Sequence, residues 1–181
     1  DVVNGLTTGI GDSIAITLKA ESVSSTDLVT LERKTGLQID AKAATTITGP
    51  YAEVKAVLDD TRNYDFTDAD YNVTTSHLTT SLTADELITI SGMTSGLVTA
   101  TSVNTVTGAV DKLVTVANRN DGSDLLLKAD YDATIDVSGG TTAAAADLKV
   151  ILLDTTGPVT ADGLTDISGE AADVDAVQTE V

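Results

Sequence analysis

The sequence predicts an α/β chain: a strand–helix solenoid with a parallel sheet, about three repeats of roughly 60 residues, each of two coils. Three observations lead there. Nearly the same pentad is written three times, as TTITG at 45–49, NTVTG at 104–108 and TDISG at 165–169. A segment of helical periodicity follows each pentad, and another precedes it. Between them lie Thr-, Val- and Ile-rich stretches that alternate as half-buried strands do.

The segments after the pentads are PYAEVKAVLDD, AVDKLVTVANR and EAADVDAVQTE. Counted from Gly49, Gly108 and Gly169, Val54, Leu113 and Val174 stand five residues on, and Val57, Val116 and Val177 eight on. Apolar residues three apart mark one helix face. Pro50 is expected in the first turn, where its missing N–H costs nothing.

The preceding segments are SSTDLVTLERKTG (24–36), LTADELITISGMTSG (82–96) and TAAAADLKVILLDTTG (142–157). Each carries an Asp and then a Leu: Leu28, Leu87 and Leu148. Thr26 and Thr83 read as N-caps. Gly36, Gly96 and Gly157 read as C-caps. Leu28 to Val54, Leu87 to Leu113 and Leu148 to Val174 each span 26 residues; the intervening halves are 33 and 35 long. The expected core is Leu28, Val54, Leu87, Leu113, Leu148 and Val174. Strands are expected in LQIDAKAATTI, LVTATSVNTV and PVTADGLTDI of the short halves. In the long halves they are expected in YDFTDADYNVTT and LLLKADYDATIDV. Each coil is expected to add one strand to the sheet and one helix to the opposite face. The whole of 1–181 reads as a single array, with repeats at about 12–70, 71–130 and 131–181 and a partial repeat at 1–11. A compact α/β domain with internal duplication is the structural alternative.

Composition narrows the function classes. Apolar residues make up 41% of the chain and mean hydropathy is +0.12, enough to form a core. Aromatics are only 3%, so the core is aliphatic. Asp and Glu number 28 against 10 Lys and Arg, a net charge of −18. Such a surface repels phosphate backbones and anionic lipid, so neither nucleic acid nor membrane insertion is expected. No Cys is present, which removes disulfides and thiolate zinc sites. The start at Asp1 and the fit of three repeats into 181 residues suggest a tile of a longer array, or a subunit that stacks head to tail.

Catalytic signals are weak. His77 has no second His or Cys beside it, no GxSxG occurs, and TTGIGD at 7–12 lacks the Lys of a phosphate loop. The chain is not expected to be an enzyme. The acidic loops DDTRNYDFTDAD (59–70) and NRNDGSD (118–124) occupy equivalent places in successive long halves. They offer Asp65, Asp68, Asp70, Asn118, Asn120, Asp121 and Asp124 as oxygen ligands for Ca²⁺, the one candidate cofactor. Neither an EF-hand loop nor a GGxGxD repeat is matched, and Asp and Asn are also ordinary turn residues. Alternate Thr in VTATSVNTVT resembles the flat faces of ice-binding solenoids.

The phrases TTITGPYAEVKAVL, LTADELITISGMTSGLVTATSVNTVTGAVDKL and TTGPVTADGLTDISGEAADVDAV resemble repeats of giant secreted or cell-surface, adhesin-like proteins of marine cyanobacteria and related bacteria. That resemblance implies an extracellular structural role and carries no catalytic residues. The expected function is a structural repeat protein of a filament, surface layer or giant cell-surface protein, built by end-to-end stacking, with itself as partner. The alternative is an adhesin module that recognises a glycan or surface, with calcium as its cofactor.

Overall fold

A computed structural model describes residues 13–19, 21–67, 70–76 and 80–180. Two elements, β1 (Ser22–Ser24) and α1 (Ser25–Glu32), open the described fold. β2 (Ile39–Asp40), β3 (Thr46–Gly49) and α2 (Tyr51–Asp59) follow. A longer stretch then carries β4 (Tyr64–Asp65), β5 (Asn72–Thr75) and β6 (Ser81–Thr83) into α3 (Ala84–Ser91). β7 (Val98–Ala100) and β8 (Thr105–Gly108) lead to α4 (Val110–Arg119). β9 (Leu125–Leu127), β10 (Asp132–Ile135) and β11 (Thr142–Ala144) lead to α5 (Ala145–Asp154). β12 (Val159–Thr160), β13 (Asp166–Ser168) and α6 (Ala171–Glu180) close it. A single 3₁₀ turn lies at Val137–Gly139.

The chain is therefore α/β, with parallel strands alternating with helices. All nine ladders among the described residues are parallel. One expectation is corrected. In place of one sheet gaining one strand per helix, there are four sheets, ordered β1-β3-β5-β7-β9, β6-β8-β10-β12, β2-β4 and β11-β13. Four of the five expected strand stretches are broken by a turn, at 42–43, 101–102, 129–130 and 162–163, into two strands of two to four residues; the fifth holds β4 and β5. The long halves hold a third strand, β6 or β11, that runs directly into the next helix. These tripeptides, SLT and TAA, are too short to show a period of two in the sequence.

One rule covers every ladder. Each strand pairs with the element three places further along the chain, the 3₁₀ turn left uncounted. The offset runs from 24 residues (Ser22 with Thr46) to 27 (Thr105 with Asp132). A sheet stops where the element three places on is a helix: α3 follows β4 in this sense, and α5 follows β9. Helices obey the rule in pairs. α1 packs on α2, α3 on α4 and α5 on α6, and α4 also packs on α5. Polar ties link the members of each pair, and Arg119 of α4 also donates to Ser91 Oγ of α3 at 2.5 Å. Glu53 accepts from Ser25 Oγ (3.1 Å) and Thr26 Oγ1 (2.9 Å), Lys112 meets Asp85 at 3.6 Å, and Lys149 meets Asp173 at 2.8 Å.

The inward positions make one continuous core. Leu28, Val54, Leu87, Leu113 and Leu148 are buried in it as expected, while Val174 is only half-buried. The pentad glycine has a packing reason. A Cβ on Gly49 would lie 2.0 Å from Ser25 Oγ, on Gly108 2.8 Å from Ala84 Cβ, and on Gly169 3.1 Å from Ala145 Cβ. Each pentad thus closes against the small first residue of the preceding helix, and Ser25, Ala84 and Ala145 are all fully buried.

Several expected caps shift. Ser24, not Thr26, caps α1, accepting from the Asp27 N–H at 3.0 Å. Thr83 does cap α3, in a capping box with Glu86. Pro50 stands one residue before α2, at its N-cap. Gly36, Gly96 and Gly157 are not C-caps: α1, α3 and α5 end at Glu32, Ser91 and Asp154, several residues earlier. Gly96 and Gly157 instead allow two backbones to touch. A Cβ there would sit 2.3 Å from the Tyr71 carbonyl oxygen and 2.4 Å from that of Tyr131. The Thr two residues earlier completes the device. Thr94 and Thr155 donate to those same carbonyls and accept from the N–H of Gly96 and Gly157 at 3.0 Å. Thr35 repeats it, donating to the Ile14 carbonyl (2.6 Å) and accepting from Leu37 N–H (3.0 Å).

Gly157→Ala is expected to cost about 1–3 kcal/mol, since the clash is with backbone rather than a flexible side chain. Gly139→Ala, where no atom lies within 4 Å of the added carbon, should stay within about 0.5 kcal/mol of the parent in urea unfolding.

Candidate functional site

The candidate calcium residues lie in and around two loops, one after α2 and one after α4. Asp68 lies outside the described residues, as do His77 and the 7–12 stretch. Asn118 is exposed on α4. Asn120 caps the C-terminus of that helix; its Nδ2 donates to both oxygens of Asp154 (3.1 and 3.2 Å) and its Oδ1 accepts from Leu127 N–H (2.8 Å). Asp121 Oδ1 accepts from Ser123 N–H (2.8 Å), Ser123 Oγ (2.7 Å) and Asp124 N–H (3.2 Å). Those bonds hold its carboxyl below the usual carboxylate range. The Asp124 carbonyl accepts from Val98 N–H at 3.0 Å.

The other loop is built alike. Asp60 Oδ1 accepts from Arg62 and Asn63 N–H at 3.2 Å each, four residues before β4, as Asp121 stands four before β9. In the two loops Asp60 and Asp121 thus serve as ordinary turn residues, each bonded to backbone N–H groups two and three residues on. Asp65 accepts from Thr67 N–H (3.0 Å) and Thr67 Oγ1 and pairs with Lys42 (3.0 Å). The Thr67 bonds lower it most and Lys42 adds to them, to about 2. Asp70 accepts from Ser95 Oγ. Among the described residues, no three His, Cys, Asp or Glu side chains converge so as to hold a metal. No helix among them is long and apolar enough to cross a membrane.

Two titratable clusters lie inside the structure. Tyr131 Oη donates to Asp154 at 2.6 Å, and burial followed by that carboxylate raises the phenol. Tyr64 Oη donates to Glu32 at 3.0 Å and is raised for the same two reasons. Asp154 is itself raised, by burial first, with the bonds from Tyr131 and Asn120 opposing. Both clusters tie the end of a helix, Glu32 of α1 or Asp154 of α5, to the strand or loop packed beside it.

The outward faces of the strands form rows. Thr83, Thr107, Thr134 and Thr160 stand side by side in β6, β8, β10 and β12. Ser24, Thr48, Thr74 and Thr99 do the same in β1, β3, β5 and β7. Neither row contains a charge, on a chain of net −18.

The most distinctive surface is at the C-terminal end. Ile135, Leu148, Leu152, Val159, Ala161, Leu164, Ile167 and Val177 line an apolar hollow of about 200 Å³. Its position in the repeat explains it. Ile39, Ala41, Ala44 and Ile47 are buried, and so are Val98, Ala100, Val103 and Val106. The equivalent Val159, Ala161, Leu164 and Ile167 are half-exposed. Among the described residues, no segment covers these four as the next segment covers their equivalents. A second hollow of about 330 Å³ lies between the N-termini of α4 and α5, walled by small residues with Asp111, Asp136 and Asp147.

Comparison with protein-family models, with curated proteins and with solved structures gives no match.

Asp121→Ala should lower the thermal midpoint as much in EDTA as in calcium, because its oxygens serve the turn; a drop confined to calcium-containing buffer would make it a ligand. Asp154 has the opposite sign from a paired surface carboxylate. Its folded pKa is raised, so its contribution is greatest at low pH and declines as pH rises through that value. The stability difference between the parent and Asp154→Asn should therefore move in the parent's favour as pH falls from 7 towards 4. Denaturant titrations at several pH values measure it.

Proposed function

We propose that the chain is a three-sided strand–helix solenoid. Its work is structural, as a segment of an extracellular filament, surface layer or giant cell-surface protein. The observation that carries this reading is the three-places-on pairing, obeyed by every ladder. A chain that turns once per three elements has three sides, and each side receives one element per turn. The helices then move round the stack. α1 and α2 share one side, α3 and α4 the next, α5 and α6 the third. With the 3₁₀ turn uncounted, α3 stands seven places after α1, and α5 seven places after α3. Seven leaves a remainder of one on division by three, so each repeat begins one side further on.

Such an arrangement suits a scaffold. Each turn covers the apolar side of the one before, and stability accrues between neighbours. The acidic surface keeps lateral contacts weak and the rod soluble where salt screens it. A second reading, a module that grips a glycan or surface, rests on the uncharged hydroxyl row Thr83–Thr107–Thr134–Thr160; a glycan array probed with the purified chain examines it.

Immunogold electron microscopy of intact source cells, with antibody raised against the chain, tests the structural reading. Label along fibres or a surface coat is the expected result. Label that enters only permeabilised cells, dispersed in the interior, would overturn it.

A further inference from the structure

Each end of the described structure presents a strand edge without a ladder partner among the described residues. At the C-terminal end, β13 pairs with β11 on one edge, and its other edge has no ladder partner among the described residues. Beside it opens the apolar hollow of Val159, Ala161, Leu164 and Ile167. At the other end, Thr17 bridges in parallel to Asp40, next to β2. Its neighbours Ile16 and Leu18 lean half-buried onto the core, and Ile14 is 38% exposed. The Ile14–Leu18 segment thus has one edge bonded and one edge without a ladder partner among the described residues.

We propose that the hollow and free edge at β13 seat the Ile14–Leu18 segment of a second copy of this chain. This rests on the solenoid reading above and names its end-to-end partner. Under the three-places-on rule, β11, β13 and the second copy's segment become successive strands on one side. The segment around Thr17, β2 and β4 are already successive strands in that way. Parallel direction is preserved, because every ladder in the chain is parallel. The contact continues an interface that the chain makes internally at every turn, with aliphatic residues inward and backbone hydrogen bonds along the edge. It is heterologous, so repetition yields a linear polymer rather than a closed dimer.

The absence of native Cys makes the test direct. In Thr17→Cys/Ser168→Cys, both outward positions, mild oxidation should give a ladder of dimers, trimers and larger species on a non-reducing gel. Each single-Cys variant should stop at dimer. Adding Leu164→Asp should abolish the ladder while circular dichroism stays that of the parent, since Leu164 is only half-buried. A double-Cys chain that remains monomeric, as it would if a segment of its own chain filled the hollow, overturns the proposal. So does a ladder that survives Leu164→Asp. Surface label on cells without a ladder would sink this inference alone; a ladder without surface label would sink only the extracellular reading.

Discussion

Parallel strands joined in a ladder stand about 4.8 Å apart, whereas a helix with its side chains is about 10 Å across. A stack of turns that placed a helix on the same side every time would be forced open on that side. Here, among the described residues, no more than two helices follow one another at three-place intervals. The element three places beyond α1, α3 and α5 is another helix, but beyond α2 and α4 it is a strand, β6 or β11. The extra strand of each long half is the device. It delays the helix by one element and so moves it to the next side of the proposed coil, where strands still have room beneath it.

Other recurrent features follow from holding turns at ladder spacing. Backbones must touch at the corners, which is why Gly96 and Gly157 lie against the carbonyls of Tyr71 and Tyr131. A carbonyl at a corner has lost its ladder partner and needs a donor, and Thr94 or Thr155 supplies one. The pentad glycines solve the same problem where a strand enters a helix, against Ser25, Ala84 and Ala145. The acidic loops belong to this set. Asp60 and Asp121 close matched turns after α2 and α4, and their carboxylates are occupied with backbone N–H groups.

The same geometry makes the ends of the molecule special. An inward residue is buried only if the next turn lies over it. Ile39 and Val98 meet that condition and Val159 does not, although the three are equivalent in sequence. Val174 is half-buried for the same reason, while Val54 and Leu113 are enclosed. Exposure here reports position along the stack rather than residue type. Val159, Ala161, Leu164 and Ile167 are thus half-exposed while the same chemistry at Ile39–Ile47 and Val98–Val106 is core.

The sequence by itself determined the helices, their alternating spacing and most of the core. Leu28, Leu87 and Leu148 are found at the buried positions their periodicity implied, because a helix face is a local pattern of three and four residues. It also determined the α/β class and the recurrence of the pentad. The tertiary structure alone decided which strands pair, and with it the four sheets, the Thr rows and the roles of Gly96, Gly157, Asp60 and Asp121. Sequence similarity reports the distance between like helices, 59 residues from Leu28 to Leu87 and 61 from Leu87 to Leu148. Ladders form at 24–27 residues, a step that does not divide that distance. Backbone hydrogen bonds between two- to four-residue strands carry no side-chain signature of their partner, so the pairing becomes legible only when the turns are stacked in space.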